Sequence, residues 1–279
     1  MVLRRFREHV IDHNWFAVGV DIAIVIVGVF LGMQATSWNQ ERTDFDEART
    51  FRHAIVADLR ANEVDIVTRA AYYRAVRAHA LAALDVLEYR PNEAGESFLV
   101  DAYQASSSWR RPLIRSSYDE MIGSGLGKSA LGLQTRAQMS SYYAQIPQFN
   151  DNVLTITAYK ERLRRAMPYD VQQRIGSRCR DQIRTLSSGM QIATFPTHCQ
   201  PQLAPRQIVL GVARLRATSE LNLDLTRLVA DLDQKLALFN RYSELARDLR
   251  ADLGRTHSTA PSVIILHDTA SPQSGRTPT

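Results

Sequence analysis

The stretch GSGLGKSA, residues 123–130, has the residue types of a phosphate-binding loop. Gly127, Lys128 and Ser129 match the end of the pattern G-x-x-x-x-G-K-S/T, in which backbone N–H groups and the lysine hold phosphates. The pattern requires its first glycine at position 122, which is Ile122 here, and no buried strand precedes the stretch. We therefore interpret these glycines as a flexible break between two helices.

Cys179 and Cys199 are the only two cysteines, and an even pair outside the cytoplasm commonly forms a disulfide. A bridge between them would stabilise the fold by roughly 3 kcal/mol, because it restricts the unfolded chain. Two alternatives remain open: a metal site that uses His198 but lacks an evident fourth ligand, and two unpaired thiols in a cytoplasmic domain. We expect the disulfide, and no cofactor or bound metal.

Asp21 is a carboxylate near the start of a long aliphatic run. On a helix, Asp21 and Asn39 lie on one line, and Gly28 and Gly32 fall within about 20° of that line on either side. Two glycines four residues apart let helices approach closely, and an acid inside a membrane usually faces a partner or a cavity. We expect this stripe to contact a second copy of the chain or another membrane protein. Alternatively, Asp21 carries protons in an ion-coupled subunit, or lies shallow enough to reach lipid headgroups.

The aliphatic run itself predicts a transmembrane helix over residues 15–36. Asp21 is the only charge between positions 15 and 35, and this length crosses a hydrocarbon core of roughly 30 Å. A cleaved signal peptide is the alternative, but Met33 stands where a small residue is needed for cleavage. Basic residues in the short tail, residues 1–14, favour a cytoplasmic amino terminus. We therefore expect a single-pass protein of the bacterial inner membrane whose domain, residues 37–255, is periplasmic.

The two ends of this run resemble a bacterial family of single-span membrane proteins of unknown function. The resemblance rests on the basic tail, the acid followed by isoleucine, and the exit residues Gln34, Trp38, Asn39, Glu41 and Arg42. Val20 and Asp21 stand where that family typically has glycine and glutamate. Residues 117–146 are similar to the family's later pattern of Tyr, acid, Ser-Gly and Tyr-Tyr. The resemblance implies the topology but no activity.

Two long apolar seams predict an all-α fold. One helix is expected to continue from the span to about residue 88, with a seam at Ile55, Leu59, Ile66, Ala70, Tyr73, Ala80, Leu84 and Leu87; Asn62 and Arg77 take positions that this seam leaves vacant. A second is expected over residues 207–253, with a seam at Leu225, Leu228, Leu232, Phe239, Tyr242, Ala246, Leu249 and Leu253. We expect them to pair as long, antiparallel, coiled-coil-like helices of an elongated bundle.

Shorter helices are expected between the two long ones. Their predicted ranges are 96–105, 116–123, 133–145, 149–166 and 168–187. Only residues 262–268 read as a short strand, within a Ser/Thr/Pro-rich tail, residues 256–279, that we expect to be disordered.

The charge pattern and the lack of a recognisable set of catalytic residues limit the classes of function that we expect. The net charge of +5 rests on 34 basic residues, of which only Lys128, Lys160 and Lys235 are lysines. Acids interrupt these bases throughout, so we expect no nucleic-acid binding. No nucleophile, base and orienting group can be assembled from the spacing, so we expect a non-enzymatic scaffold or partner-binding module. The alternative is a small-ligand sensor, with a ligand or partner loop at Trp109, Arg110, Arg111 and Tyr118.

The predicted orientation is testable by labelling the two cysteines in intact cells after reduction. A thiol reagent that does not cross the inner membrane should label Cys179 and Cys199, since both lie in the periplasmic domain. Labelling that requires a breached inner membrane would place the domain in the cytoplasm and contradict the topology.

Overall fold

The computed structural model describes residues 15–127, 131–187, 189–196 and 199–255. The predicted tails, residues 1–14 and 256–279, and the predicted strand at 262–268 lie outside this range. The chain is mostly helical, as expected. In chain order the elements are α1 (Trp15–Glu88), α2 (Glu96–Ala105), α3 (Ser116–Gly123), α4 (Leu133–Leu154), α5 (Ala158–Ala166), α6 (Tyr169–Arg178), β1 (Gln182–Thr185), β2 (Gln191–Thr194), α7 (Pro205–Ala217) and α8 (Leu221–Arg255).

Helices α1 and α8 pair along the length of the domain and form its centre. Arg77 of α1 pairs with Asp233. Glu63, which lies earlier in α1, pairs with Arg247 and Arg250, which lie later in α8. The partner number rises as the α1 number falls, so the two helices run antiparallel. Every residue of the predicted α8 seam is buried, and every residue of the α1 seam is buried or packs against the core.

An aromatic cluster joins this pair to α4. The ring centroid of Phe149 lies 5.3 Å from that of Phe239 and 4.8 Å from that of Tyr242, and Tyr73 of α1 lies 5.7 Å from Phe239. Such tilted aromatic pairs contribute about 0.5–1.5 kcal/mol each beyond the area they bury. The short helices thus pack around a core that the two long ones define.

The single helix predicted over residues 207–253 is wrong, because the chain breaks between α7 and α8. Glu220 takes a left-handed backbone conformation with φ of 63°. Arg162 of α5 holds this break, since its guanidinium donates to the Ser219 carbonyl and to the carboxylates of Glu220 and Asp224. A contact from a distant helix therefore holds the backbone at the point where α8 begins.

The helix predicted over residues 168–187 is also wrong beyond Arg178. Residues 182–185 instead pair with 191–194 as an antiparallel hairpin, with Gln182 opposite Thr194. The turn contains Gly189 at φ of 79°, a conformation that glycine adopts without a steric penalty. All four residues of β1 are exposed. The strand therefore lacks the alternation of apolar and polar residues from which a strand is predicted.

The break predicted between residues 145 and 149 lies later, at residues 155–157. Helix α4 continues through Pro147, which has no N–H for the helical ladder. Its buried face on both sides of the proline, at Tyr143, Ile146, Phe149 and Val153, keeps the helix packed. Thr157 then caps α5, as its hydroxyl oxygen accepts from the Lys160 N–H at 3.2 Å.

Two adjacent residues of α1 test whether this helix is the core of the domain. Ile66 is fully buried and Val67 is 52% exposed. Ile66→Ala should lower the free energy of unfolding by about 2–5 kcal/mol, because the cavity it leaves cannot collapse fully. Val67→Ala, the matched control, should change it by less than about 0.5 kcal/mol. Chemical denaturation measures both, and equal effects would contradict the assigned face.

Candidate functional site

The first part of α1 projects from the domain as an exposed apolar helix. Residues 19–43 are exposed throughout, and the first buried core residue of α1 is Ala48. In the part of the chain that the structure describes, α1 is the one helix that is long and apolar enough to cross a membrane; its most apolar window has a mean hydropathy of 1.9 and none of it is buried. We call residues 19–47 the projecting segment.

The predicted contact stripe lies on this projecting segment. A Cβ atom built on Gly28 or Gly32 would meet no atom within 4 Å, so the backbone is open to approach along this line. The Thr36 hydroxyl donates to the Gly32 carbonyl at 2.9 Å, which keeps that polar group bonded within the helix. Asp21 and Asn39 are exposed on the same line. The geometry leaves the stripe accessible, and its role as a contact face stays a prediction.

Aromatic and charged side chains follow the apolar run. The Arg42 guanidinium lies 4.9 Å from the centroid of the Trp38 ring. Trp38 is 63% exposed and Phe45 is 65% exposed. A tryptophan next to an arginine at the end of an apolar helix is typical of the boundary between lipid and water.

The loop predicted to bind a ligand or partner is held by side chains of α1. The Asn62 amide donates to the Ile114 carbonyl at 2.7 Å and accepts from the Ile114 N–H at 2.8 Å. Arg69 donates to the Arg111 carbonyl, and the Tyr73 hydroxyl donates to the Trp109 carbonyl at 3.2 Å. We call these three side chains the α1 clamp. Burial raises the pKa of Tyr73 to about 12, so its hydroxyl remains a donor at neutral pH.

The clamp includes a buried charge. Arg69 is fully buried and forms an ion pair with Asp65, one helical turn earlier, which is 7% exposed. Removing one member of such a pair leaves an uncompensated buried charge, so the two residues depend on each other. Sequence reasoning singled out Asn62 but missed Arg69. The spacing of seven residues between Asn62 and Arg69 could have indicated Arg69, because it places both on one helix face with Ile66 and Tyr73.

The side chains of the predicted ligand or partner loop lie in different surroundings. Trp109 packs beside Tyr72, with 6.3 Å between ring centroids, whereas Tyr118 stacks on Tyr143 at 4.1 Å. Arg110 is exposed. Arg111 reaches the Gln191 carbonyl of β2 at 3.4 Å. The two rings therefore serve separate packing contacts, and the exposed group available to a partner is Arg110.

The predicted disulfide between Cys179 and Cys199 is present, with 5.4 Å between the Cα atoms. It encloses the β-hairpin, and the Gln104 amide of α2 donates to the Cys179 carbonyl. Both contacts attach the hairpin segment to the bundle. His198, the ligand of the alternative metal site, lies outside the described residues, among which no group of three His, Cys, Asp or Glu side chains could hold a metal ion.

Comparisons with known proteins give no relative. No protein-family model matches the chain, and neither a curated protein nor a solved structure matches it.

Asn62→Leu tests the clamp, because leucine keeps the volume but leaves the Ile114 N–H and carbonyl without their partner. We expect a loss of about 2 kcal/mol in the free energy of unfolding and faster hydrogen exchange across residues 109–115. Arg60→Leu, an exposed change two residues earlier, is the control. If both variants exchange like the parent protein, the clamp does not hold the loop.

Proposed function

We propose that the chain is a single-pass protein of the bacterial inner membrane, with a periplasmic helical domain that acts as a non-enzymatic scaffold or partner-binding module. The stripe Asp21, Gly28, Gly32 and Asn39 is its contact face for a second membrane helix, from another copy of the chain or from a different protein. The sequence resemblance to single-span proteins and the basic residues of the tail support this topology.

The continuity of α1 is the observation that carries the proposal. Its 74 residues extend over about 110 Å as one helix, at 1.5 Å per residue. The first part exposes aliphatic side chains that water solvates poorly, and the second part forms the centre of the packed domain. A single rigid element therefore connects a lipid-compatible surface to the domain core, with no loop between them.

The stripe also has the composition of a helix contact rather than of a lipid-facing surface. Its two glycines remove side-chain bulk where a partner backbone would approach. Asp21, on the same line, would then meet polar groups of the partner instead of hydrocarbon, where an acid is costly. The remaining faces of the segment, with Ile24, Val25 and Phe30 each more than 60% exposed, suit lipid.

Gly28→Leu and Gly32→Leu test this contact face. Each adds bulk where the partner would approach, so we expect about tenfold lower recovery of the partner from membranes. The measurement is co-purification of two differently tagged full-length copies, with identification of any other protein recovered in stoichiometric amount.

Gly19→Leu is the matched control, because it makes the same substitution about 160° around the helix from Asp21. It should leave recovery unchanged, and all three variants should remain in alkali-washed membranes. Equal losses from Gly19 and Gly28, or no loss from any variant, would contradict the contact face. Recovery of the chain in the soluble fraction would contradict the membrane anchor.

A further inference from the structure

The stretch of residues 158–217 has a large excess of positive charge. Acids interrupt the bases over the chain as a whole, but this stretch has eleven basic and three acidic residues. The other 219 residues have 23 basic and 26 acidic residues, so they are slightly negative. Helices α5, α6 and α7 belong to this stretch, and all three pack against α2. The positive charge is therefore concentrated on one group of short helices.

Five exposed arginines lie on the neighbouring helices α6 and α7. They are Arg174, Arg178, Arg206, Arg214 and Arg216. Within the part of the chain that the structure describes, no carboxylate oxygen lies within 4.0 Å of any of the five guanidinium groups. The only acid on these two helices is Asp170, whose carboxylate accepts from the Gln207 amide at 2.8 Å. We call the outward side of α6 and α7, with these five arginines, the arginine surface.

Helix α7 presents apolar side chains between its arginines. At about 100° per residue, Val209, Leu210 and Ala213 lie between Arg216 at one edge of the exposed side and Arg214 at the other edge. Val209 is 70% exposed and Leu210 is 42% exposed. The outward side of α7 therefore combines positive charge with apolar area, and water solvates the apolar area poorly.

The opposite side of α7 packs against α2, which determines the residues of α7 that face outward. A Cβ atom built on Gly211 would lie 3.0 Å from the Leu99 Cδ1 atom, so the two helices approach closely at this point. Leu215, one turn later on the same side of α7, is buried. The outward direction of the α7 arginines is thus fixed by the packing of the domain.

An open cleft between α6 and α7 has room for side chains of a partner. Its volume is about 370 Å³, and it is lined by Asp170, Gln173, Arg174, Ser177 and Gln207. The Arg174 Nε atom donates to the Pro201 carbonyl at 3.0 Å. Among the described residues, the other donors of this guanidinium group have no acceptor. A carboxylate that enters the cleft would meet these donors.

The arginine surface lies far from the membrane that α1 is proposed to cross. Leu99 contacts α7, and the carboxylate of Asp101, two residues later, lies 2.7 Å from the Nδ1 atom of His79 in α1. The distance from residue 36, the end of the proposed span, to His79 is about 65 Å along the helix axis, at 1.5 Å per residue. The headgroups of that bilayer therefore lie out of reach of the arginine surface.

The composition of the arginine surface selects among anionic partners. A nucleic acid or a phosphate polymer would pair with the arginines but would leave Val209 and Leu210 without an apolar contact. A second copy of the chain that used the same surface would bring like charges together, which is unfavourable. An acidic protein segment uses both features, because its carboxylates pair with guanidinium groups and its apolar residues cover the aliphatic side chains.

We propose that the domain binds its partner through the arginine surface, and that the partner is a protein segment rich in Asp and Glu with apolar residues between them. Arg206, Arg214 and Arg216 pair with its carboxylates, and Val209 and Leu210 contact its apolar residues. This proposal rests on the proposed function, in which the domain is a partner-binding module, and adds the location of the binding surface and the chemistry of the partner.

Site-specific photo-crosslinking tests this contact in cells that naturally produce the full-length protein. Val209→p-benzoylphenylalanine places the crosslinker on the arginine surface, and mass spectrometry identifies the crosslinked peptide. We expect an adduct with one protein other than this chain, through a segment with an excess of Asp and Glu. Val67→p-benzoylphenylalanine, at a position of α1 that is 52% exposed, is the control and should not give this adduct.

Charge variants show whether the arginines make the contact. Arg206→Gln combined with Arg214→Gln should lower the yield of the adduct about tenfold, because two charges that face the partner are removed. Arg206→Lys combined with Arg214→Lys should keep most of the yield, since the charge remains. Arg60→Gln combined with Arg241→Gln, the matched control at exposed positions of α1 and α8, should leave the yield unchanged. Each double variant should melt within about 2 °C of the parent protein.

The proposal is overturned if the crosslinker at Val209 captures no protein, a second copy, a lipid, a nucleic acid, or a protein segment without an acidic excess. It is also overturned if the double glutamine variant at Arg206 and Arg214 gives the parent yield. If the adduct is absent while the parent chain stays in alkali-washed membranes and keeps the co-purification that depends on Gly28 and Gly32, this proposal alone fails. Recovery of the parent chain in the soluble fraction instead contradicts the proposed function.

Discussion

Hydrogen bonds from the α1 clamp to the backbone of residues 109–114 hold the connection between α2 and α3 against the long helix α1. This stretch has no regular secondary structure, so its N–H and carbonyl groups need partners from elsewhere. Asn62, Arg69 and Tyr73 supply them, and Asn150 of α4 accepts from the Leu113 N–H at 3.2 Å. The loop connects α2 to α3, so fixing its backbone positions both helices against α1. Helix α1, which was expected to contribute an apolar seam, therefore also supplies the hydrogen bonds that hold this loop.

The same helix links the domain to the proposed membrane span. Projecting segment and core belong to one uninterrupted element, so a rotation of the span about its axis would turn the clamp and the face that packs on α8. The domain is attached to this helix through both apolar packing and polar bonds. In the proposed scaffold, contacts of the proposed span would therefore set the orientation of the domain.

The elements with strong apolar periodicity could be predicted from the sequence, and the others could not. The seams of α1 and α8 repeat over many turns, so their helices and buried faces were expected. The break before α8 is held by Arg162, a residue nearly sixty positions away in the chain, and a contact at that separation cannot be read from local periodicity. Strand β1 is exposed along its whole length and gives no alternation. The disulfide followed from the cysteine count.

The antiparallel register of α1 and α8 also fixes where the chain leaves the domain. Arg77 faces Asp233 and Glu63 faces Arg250, so the end of α8 lies beside the first buried turns of α1, near Ile55. The chain therefore enters and leaves the domain at the same end. A force between the span and any segment bound beyond Arg255 would act across the helix pair at that end. It would separate the two helices turn by turn instead of sliding one along the other.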